Sequence, residues 1–320
     1  MNNILKGILL CTISGIAFGG QWIVSGNALK TIDPFYFTFI RYLIVSICLL
    51  FLLLIKEGYH HLKFEGKSLK LWFYGTMAFT LYNFLAFTGQ KLLGDNGAII
   101  GSIMMSLIPT VSLLISSFFT KNKPNFINVI STLLAFIGVF FVISKGNFQS
   151  ILFNKQEIFP ILLMLISVIA WVIYTMGVNY FKSWSSLRYT TLTCLLGNIS
   201  SIIIIFILTK ISYINVPNIS LIFNLKWEFL YMSIIAGVIG VYTWNFGNLL
   251  LKPINGALFI NLVPIVTFII SAIIGYSFSI IELLGAIMVI ISLFINNIHQ
   301  RYLSKKTKIL INSTKMDEAL

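Results

Sequence analysis

The sequence predicts an all-α integral membrane protein with ten transmembrane helices, arranged as two inverted five-helix repeats. Three observations lead to this prediction: a scarcity of charge, ten apolar runs of membrane-spanning length, and a motif that occurs twice. Of the 320 residues, 58% are hydrophobic and 10% are charged, whereas a soluble domain carries about 25% charged residues. So few charges cannot cover a water-exposed surface of this size, which places the chain in a lipid bilayer.

Each apolar run is about 20 residues long, which is enough for a helix to cross the hydrocarbon core. The first run follows Lys6 and is longer than the core of a signal peptide, so we interpret it as a retained helix. The fourth and fifth runs are separated by TKNKPN at 120–125, where a proline and two lysines stop a spanning helix. The predicted spans are 5–28, 34–55, 69–90, 95–119, 126–144, 157–179, 188–209, 227–250, 254–276 and 280–298.

The distribution of lysine and arginine predicts the orientation of these helices. With the N-terminus inside the cell, the inner segments hold fifteen of these residues and the outer segments hold six. Because cytoplasmic loops carry the excess of positive charge in membrane proteins, both termini are predicted to be cytoplasmic. The net charge of +13 arises mainly in these short loops, so no nucleic-acid partner is predicted.

A proline-containing helix occurs twice. Residues 101–119 match part of the stretch 256–285 when Pro109 is aligned with Pro264, at an offset of 155. Each proline lies inside its predicted helix, where it removes a backbone hydrogen bond and permits a kink. We predict that the two prolines are hinges that let one end of a repeat swing, with a static kink as the alternative.

A second match gives the size of the repeated unit. LLCTISGIAF at 9–18 matches LLMLISVIAW at 162–171, at an offset of 153. The first helix therefore corresponds to the sixth and the fourth to the ninth, which makes the unit five helices long. Because five is odd, the second copy enters the membrane from the opposite side, as in many secondary transporters. The predicted divisions are a first repeat at 1–148, a second at 149–299 and a cytoplasmic tail at 300–320.

Arg41 is the charged residue that lies clearly inside a predicted helix. An arginine at the centre of a spanning helix costs about 2.5–3.5 kcal/mol on insertion scales, so a function is the default hypothesis. Arg41 either attracts a carboxylate or phosphate at the transport cavity, or bonds helix carbonyls to hold the bundle together.

Amide and aromatic residues cluster in particular helices and complete the predicted substrate site. Buried amides need a partner, which either a cavity or a neighbouring helix provides, and tryptophan and tyrosine near helix ends also suit the membrane interface. The predicted substrate-binding residues besides Arg41 are Gln21, Trp22, Tyr82, Asn83, Trp171, Tyr174, Trp244, Asn245 and Asn261.

The sequence offers no pattern for enzyme chemistry. It contains no paired carboxylates, no glycine-rich phosphate loop and no metal-ligand spacing, and each of its three cysteines stands alone in an apolar run. We therefore predict a protein that is not an enzyme and has no metal and no cofactor. The lack of acids clearly inside the predicted helices also argues against a proton relay of the usual carboxylate type.

Several short motifs, taken in order, carry a family likeness. Asp33-Pro34 and FIRY at 39–42 open the second helix, YTWN lies at 242–245, and ELLGA lies at 282–286. With the ten helices and the repeat, these pieces resemble the EamA-type transporters of the drug/metabolite transporter superfamily over about residues 5–298. The resemblance implies export or exchange of small metabolites across a bacterial plasma membrane without ATP.

The chain departs from that family at one point. Many relatives carry a glutamate in a Gly-Glu pair just after the fourth and ninth helices, whereas this chain has Thr-Lys-Asn at 120–122 and Gly-Tyr-Ser at 275–277. A role for that glutamate is therefore not carried over to this chain.

These observations lead to one predicted function and one alternative. The predicted function is a multi-pass secondary transporter of the plasma membrane that moves amino acids or similar small amphipathic solutes by alternating access. The alternative is a lipid flippase or another membrane-embedded lipid-handling protein. The lipid bilayer and a small-molecule substrate are the predicted partners, and the oligomeric state is left open.

Overall fold

The computed structural model of the chain is helical, and no strand occurs among the residues it describes. These residues are 3–120, 126–146, 155–181, 183–251 and 257–292, with 294, 295, 298, 299 and 302. The predicted break at 121–125, the predicted boundary between 148 and 149, and the predicted tail apart from Tyr302 lie outside the described residues.

We number the main helices α1 to α10 in chain order. The first five are α1 (Asn3–Leu29), α2 (Pro34–Lys56), α3 (Ser68–Gly75, Thr76–Tyr82 and Asn83–Leu92 in succession), α4 (Gly97–Ser106 and Ile108–Thr120) and α5 (Phe126–Ser144). The others are α6 (Lys155–Gly177), α7 (Ser186–Lys210), α8 (Lys226–Leu230, Tyr231–Gly240 and Val241–Leu251 in succession), α9 (Ala257–Asn261 and Leu262–Ile273) and α10 (Ile280–Ser292).

Five of these helices are long and apolar enough to cross a membrane. They are α1, α2, most of α6, α7 and the part of α8 that covers Lys226–Trp244. The described residues also contain three shorter apolar helices, Val129–Ser144, Phe259–Ile273 and Ile280–Ser292.

Side-chain caps fix the starts of α2 and α7. Asp33 accepts a hydrogen bond from the backbone N–H of Phe35 at 2.9 Å, and Pro34 occupies the first helical position, where its missing N–H is not needed. Ser185 accepts a hydrogen bond from the backbone N–H of Arg188 at 2.9 Å at the start of α7. Because the caps fix where α2 and α7 begin, they also fix how far Arg41 and Arg188 lie from the starts of their helices.

A π-helical segment interrupts both α3 and α8. The segment in α3 is Thr76–Tyr82 and the segment in α8 is Tyr231–Gly240. Their starts are 155 residues apart, the same offset that separates Pro109 from Pro264. Because π segments are rare and occur frequently at functional sites, their recurrence marks equivalent positions in the two halves.

The helices pack in an exchanged pattern. α1 of the first half packs against α8 and α9 of the second, and α6 of the second half packs against α3 and α4 of the first. α2 packs against α7, and α4 packs against α9. Each half therefore contributes its first helix to the other half.

α6 runs in the opposite direction to α1. The ends of α1 and α3 lie side by side, since the Ser25 hydroxyl donates a hydrogen bond to Oε1 of Gln90 at 2.8 Å. The start of α6 lies against the end of α3, where Gly89 faces the Pro160 carbonyl, and α6 then packs along α3 towards its start. This antiparallel relation is the one that an inverted repeat predicts.

The two prolines lie at helix junctions, which corrects the expectation that they kink continuous helices. α4 is interrupted at Leu107, two residues before Pro109. α9 changes from a 3₁₀ segment to an α-helix at Leu262, two residues before Pro264. Each proline therefore stands in the first turn of a new helical segment, where a missing backbone N–H leaves no hydrogen bond unmade.

Candidate functional site

A small cavity lies between helices from both halves of the bundle. Its volume is about 20 Å³, which is room for about one water molecule. Helices α1 to α4 line it from one half of the chain, and α6 and α8 line it from the other. The lining residues are Phe18, Gln21, Trp22, Arg41, Tyr42, Tyr82, Asn83, Phe87, Met105, Trp171 and Val241.

The structure brings six of the predicted substrate-binding residues together around this cavity. They come from α1, α2, α3 and α6, which are far apart in the sequence but adjacent in the bundle. The six residues are Gln21, Trp22, Arg41, Tyr82, Asn83 and Trp171.

Arg41 makes the central polar contacts of the cavity and is only 3% exposed. Its Nε donates to the Met232 carbonyl at 2.9 Å, its Nη2 to Oε1 of Gln21 at 3.2 Å and its Nη1 to Oδ1 of Asn83 at 3.4 Å. The guanidinium also lies 4.8 Å from the ring centroid of Tyr42. Three helices other than its own therefore hold this side chain in place.

Arg41 connects the two π segments. Met232 lies in the π segment of α8, and Asn83 is the first residue after the π segment of α3. Asn83 in turn donates to the Ala78 carbonyl inside that segment at 2.8 Å. A change in either segment would therefore alter the contacts of the guanidinium.

The partners of Arg41 are neutral. Within the described part of the chain the ion pairs are Lys145–Glu282 and Arg188–Glu65, and no acidic residue lines the cavity. Arg41 therefore keeps a buried positive charge that amide oxygens, a carbonyl and aromatic rings stabilise without neutralising it.

Trp22 provides a cavity wall with an unused hydrogen-bond donor. Its side chain is buried, and its Nε1 has no hydrogen-bond partner. The indole packs against Gly101 of α4, which leaves room for the ring because glycine has no side chain. A buried donor without a partner costs about 1–3 kcal/mol, so a ligand acceptor at this position would remove that cost.

The other predicted site residues lie outside the cavity lining. Tyr174 is buried one turn from Trp171, at 5.4 Å between ring centroids, and packs in a hydrophobic cluster that also contains the lining residue Tyr42. Trp244 packs on Phe18 at 6.3 Å. The Asn245 side chain is outside the described part of the structure.

Asn261 is also absent from the cavity lining, although it is buried at the start of α9. Neither its side-chain oxygen nor its side-chain nitrogen has a hydrogen-bond partner in the structure. The spacing of Asn261 from Pro264 predicted that it binds substrate, and this substrate-binding role stays a prediction.

Five lining residues were not predicted from the sequence. Tyr42 follows Arg41 directly in the FIRY motif, which is a signal that could have identified it. The remaining ones are apolar residues within apolar runs, where nothing distinguishes a cavity wall from a lipid contact. They are Phe18, Phe87, Met105 and Val241.

A partly buried polar cluster joins the two halves at one end of the molecule; we call it the Glu282 cluster (Asn96, Lys145, Tyr276 and Glu282). The Glu282 carboxylate accepts a hydrogen bond from the Tyr276 hydroxyl at 2.8 Å and lies 3.7 Å from Nζ of Lys145. Lys145 also donates to Oδ1 of Asn96 at 2.7 Å. Asn96 and Lys145 belong to the first half of the chain, and the other two residues belong to the second.

A second polar cluster joins the halves at the other end; we call it the Glu65 cluster (Glu65, Trp184 and Arg188). Nη2 of Arg188 lies 2.7 Å from Oε1 of Glu65, and Nε1 of Trp184 donates to the other carboxylate oxygen at 2.9 Å. The hydrogen bond from Arg188, followed by that from Trp184, holds the pKa of Glu65 below its ordinary value. Glu65 precedes α3 and Asn96 follows it, so α3, roughly 35 Å long, separates the clusters.

A wider groove of about 540 Å³ lies on the outside of the bundle between α2 and α7. Its walls are mainly apolar, and Lys210 at the end of α7 lies at its edge. The lining residues are Tyr36, Phe39, Ile202, Ile205, Phe206, Thr209, Lys210 and Val216. Along α7 the groove extends over about two turns, so it covers only part of a membrane-spanning helix.

Comparison with known proteins agrees with the two-half architecture. Residues 5–144 and residues 158–298 each match the family model described as "EamA-like transporter family". The chain belongs to the EamA-like transporter family. The resemblance inferred from the sequence motifs is thereby confirmed, and the chain is a multi-pass membrane transporter.

Individual relatives of this EamA-like chain are named as transporters. It is 43% identical over 295 residues to "Uncharacterized transporter YrdR" of Bacillus subtilis, covering 92% of each chain. It is 25% identical over 253 residues to "Uncharacterized transporter YyaM" of the same organism, covering 78% of this chain and 80% of the relative. A solved structure described as "Crystal structure of protein" shares the fold, with a TM-score of 0.62 at 17% identity, over 92% of this chain and 98% of the other.

Proposed function

We propose that this EamA-like transporter moves small organic solutes, amino acids or similar amphipathic molecules, across the bacterial plasma membrane by alternating access. The observation that carries the proposal is the small central cavity, which helices from both halves of the chain line together. A cavity of about 20 Å³ admits no amino acid, so the solute enters and leaves only when the two halves move apart. Ten spanning helices in two inverted repeats are part of this proposal.

The two polar clusters support this mechanism. Each joins the first half of the chain to the second, and they lie at opposite ends of α3. Opening one end of the cavity requires that one cluster separate while the other stays closed. The structure with both clusters formed corresponds to an occluded state between the two open ones.

The positive charge of the loops supports an orientation for these clusters. With both termini in the cytoplasm, the Glu65 cluster closes the inner end and the Glu282 cluster closes the outer end. In this arrangement an exporter releases its solute when the Glu282 cluster separates. An exchanger returns with a second solute before the inner end reopens.

The chemistry of the cavity supports the class of solute. Its walls combine aromatic rings with two amide side chains and one guanidinium, which suits a molecule with an apolar body and a polar head. No embedded carboxylate lines the described cavity, so we propose facilitated export or exchange in preference to strict proton coupling.

Flux measurements on the purified protein in proteoliposomes test the proposed function. We expect uptake and counterflow for at least one member of a panel of amino acids, amines and nucleotides, with empty liposomes as the control. The absence of flux for the whole panel, from protein that shows a cooperative thermal transition, contradicts the proposal.

The groove between α2 and α7 is the observation that favours the alternative, a lipid flippase. Its apolar walls and its edge lysine suit a lipid, but a flippase needs a path across the whole bilayer and the groove covers only part of α7. Movement of a fluorescent phospholipid between leaflets of the same proteoliposomes, without solute flux, would favour the alternative.

A further inference from the structure

We infer that the cavity recognises its solute through a carboxylate that pairs with Arg41, and that it has no recognition for an ammonium group. This inference rests on the proposed function and narrows the substrate class to organic carboxylates with an aromatic or apolar body. Amino acids then qualify through their carboxylate, and amines without a carboxylate do not.

The inventory of hydrogen-bonding groups in the cavity favours an acceptor as ligand. A guanidinium has five N–H donors, and Arg41 uses three of them, one on each nitrogen. Nη1 and Nη2 therefore each retain one N–H, and Nε1 of Trp22 donates to nothing. The described cavity thus holds at least three unused donors.

The amide acceptors of the cavity are already engaged. Oε1 of Gln21 accepts from Arg41, and Oδ1 of Asn83 accepts from both Arg41 and the Tyr42 hydroxyl. A ligand ammonium, which only donates, would have to share these amide oxygens with the guanidinium or use the neutral hydroxyl oxygens of Tyr42 and Tyr82. A carboxylate, which only accepts, matches the unused donors directly.

Charge leads to the same conclusion. The cavity lining contains one cation and no anion, and burying an uncompensated charge is unfavourable. A carboxylate beside Arg41 forms a charge-assisted pair that the free protein lacks. An ammonium meets the repulsion of the guanidinium, and the faces of Tyr42 and Phe87 that could attract it already lie 4.8 and 5.8 Å from Arg41.

Three matched probes distinguish recognition of a carboxylate from recognition of an ammonium group. Phenylalanine carries both a carboxylate and an ammonium, phenylpyruvate lacks the ammonium, and phenethylamine lacks the carboxylate, while the aromatic body stays the same. The measurements are the ligand-induced change in Tm of the full-length protein in detergent and the inhibition of solute flux in proteoliposomes. We expect both carboxylates to raise Tm and inhibit flux at concentrations at least tenfold below those that phenethylamine requires.

Substitutions test the assignment to Arg41. We expect Arg41→Gln to weaken the response to both carboxylates at least tenfold and Arg41→Lys to weaken it less, because lysine keeps the charge but loses the forked donors. Lys210→Gln removes an exposed lysine far from the cavity and serves as the matched control, with no change expected. Should Arg41→Gln fail to fold, the three probes applied to the unsubstituted protein still decide the question.

The outcomes distinguish this inference from the proposed function. A response to phenethylamine equal to that of phenylpyruvate, or solute flux that no carboxylate inhibits, overturns the inference and leaves the transporter intact. Carboxylate responses that survive Arg41→Gln overturn the assignment to Arg41. Absence of flux for every solute, together with a normal thermal transition, overturns the proposed function itself.

Discussion

Gly101 determines how the Trp22 indole sits in the wall of the cavity. A Cβ atom at this position would overlap the six-membered ring of the indole, which is buried beside the cavity. Overpacking of this kind costs about 1–3 kcal/mol. The missing side chain of one residue in α4 therefore sets the position of an aromatic wall that belongs to α1.

We predict that Gly101→Ala lowers Tm and reduces solute flux at least tenfold, because the displaced indole enters the small cavity. The measurements are thermal unfolding in detergent and uptake in proteoliposomes. Gly26→Ala is the matched control, since its new Cβ would meet only side-chain atoms, at 3.2 and 3.9 Å. Unchanged flux in Gly101→Ala would show that the ring is not part of the transport path.

Glu65 gives the cluster at the start of α3 a dependence on pH. Its pKa in the folded protein lies below its ordinary value, chiefly because Arg188 donates a hydrogen bond to its carboxylate. A carboxylate with a lowered pKa contributes its stabilisation above its ordinary pKa and loses it as the pH falls through the folded pKa. The Glu65 cluster is thus formed at neutral pH and is released in acid.

We predict that Glu65→Gln lowers Tm at pH 7, and that the difference from the unsubstituted protein shrinks below the ordinary glutamate pKa of about 4.3 and disappears once the pH is below the lowered folded pKa. The measurement is Tm as a function of pH in detergent. Glu228→Gln, in which an exposed hydrogen bond to Asn27 is altered, is the control for a general effect of carboxylate removal. A difference that stays constant down to pH 3 would contradict the assigned role of the charge.

Part of the cavity could be predicted at the scale of single residues. Polar groups such as Arg41, Gln21 and Asn83 stand out in apolar runs because hydrocarbon does not satisfy their hydrogen bonds. Phe18 and Met105 could not be predicted, since an apolar side chain is equally stable against lipid and against a cavity. Asn261 is a buried polar residue that does not line this cavity, so its predicted role in substrate binding stays a prediction.

At the scale of helices, the sequence predicted the helix positions but not the π segments. Apolar length determines where a helix crosses the bilayer, so the predicted spans lie within a few residues of the helices wherever the structure describes them. The π segments depend on backbone hydrogen bonding within α3 and α8, which leaves no compositional trace. The prolines were visible, but whether the helix around each one continues depends on packing.

The Glu282 cluster links four elements that meet at one end of the molecule, the proposed outer end: the turn before α4, the end of α5, the turn after α9 and the start of α10. Its polar groups are mutually satisfied, so the cluster is stable as long as all its members stay together. Lys145 is partly exposed, which limits the contribution of its ion pair to about 1 kcal/mol. The hydrogen bond from Tyr276 to the buried carboxylate contributes about as much again.

We predict that Glu282→Gln makes a cysteine in the cavity react about five to ten times faster with a membrane-impermeant thiol reagent added outside. The cysteine is introduced as Met105→Cys in a protein whose three native cysteines are replaced by alanine. The physical reason is that a weaker outer cluster increases the fraction of outward-open molecules. Ser279→Ala, which removes only the helix cap that binds the backbone N–H of Glu282, is the control, and equal rates in both variants would contradict the prediction.

For the molecule as a whole, the exchanged packing explains how two similar halves form one bundle. α1 and α6 each leave their own half to pack with the other, so neither half is complete by itself. The antiparallel course of α1 and α6 agrees with the odd number of helices in the predicted repeat. The sequence showed the repeat in two helix pairs only. The π segments within α3 and α8 add these two helices as a third matching pair.

We predict that epitope tags at the two ends of the chain are both protected in intact cells and both accessible after permeabilisation. The reason is the excess of lysine and arginine in the segments that share a side with the termini. Antibody labelling with and without detergent measures the accessibility. A tag inserted after Lys210, at the predicted outer end of α7, is the control that should label in intact cells, and labelling of either terminus there would contradict the orientation.

The near-absence of free volume in the central cavity affects any measurement of affinity. In the proposed mechanism, a molecule with room for about one water binds solute only after it opens, so the observed Kd equals the intrinsic Kd divided by the fraction of open molecules. Loosening either polar cluster would then tighten the apparent binding without touching a solute contact. For this transporter, affinity is thus partly a property of residues roughly half a membrane away from the ligand.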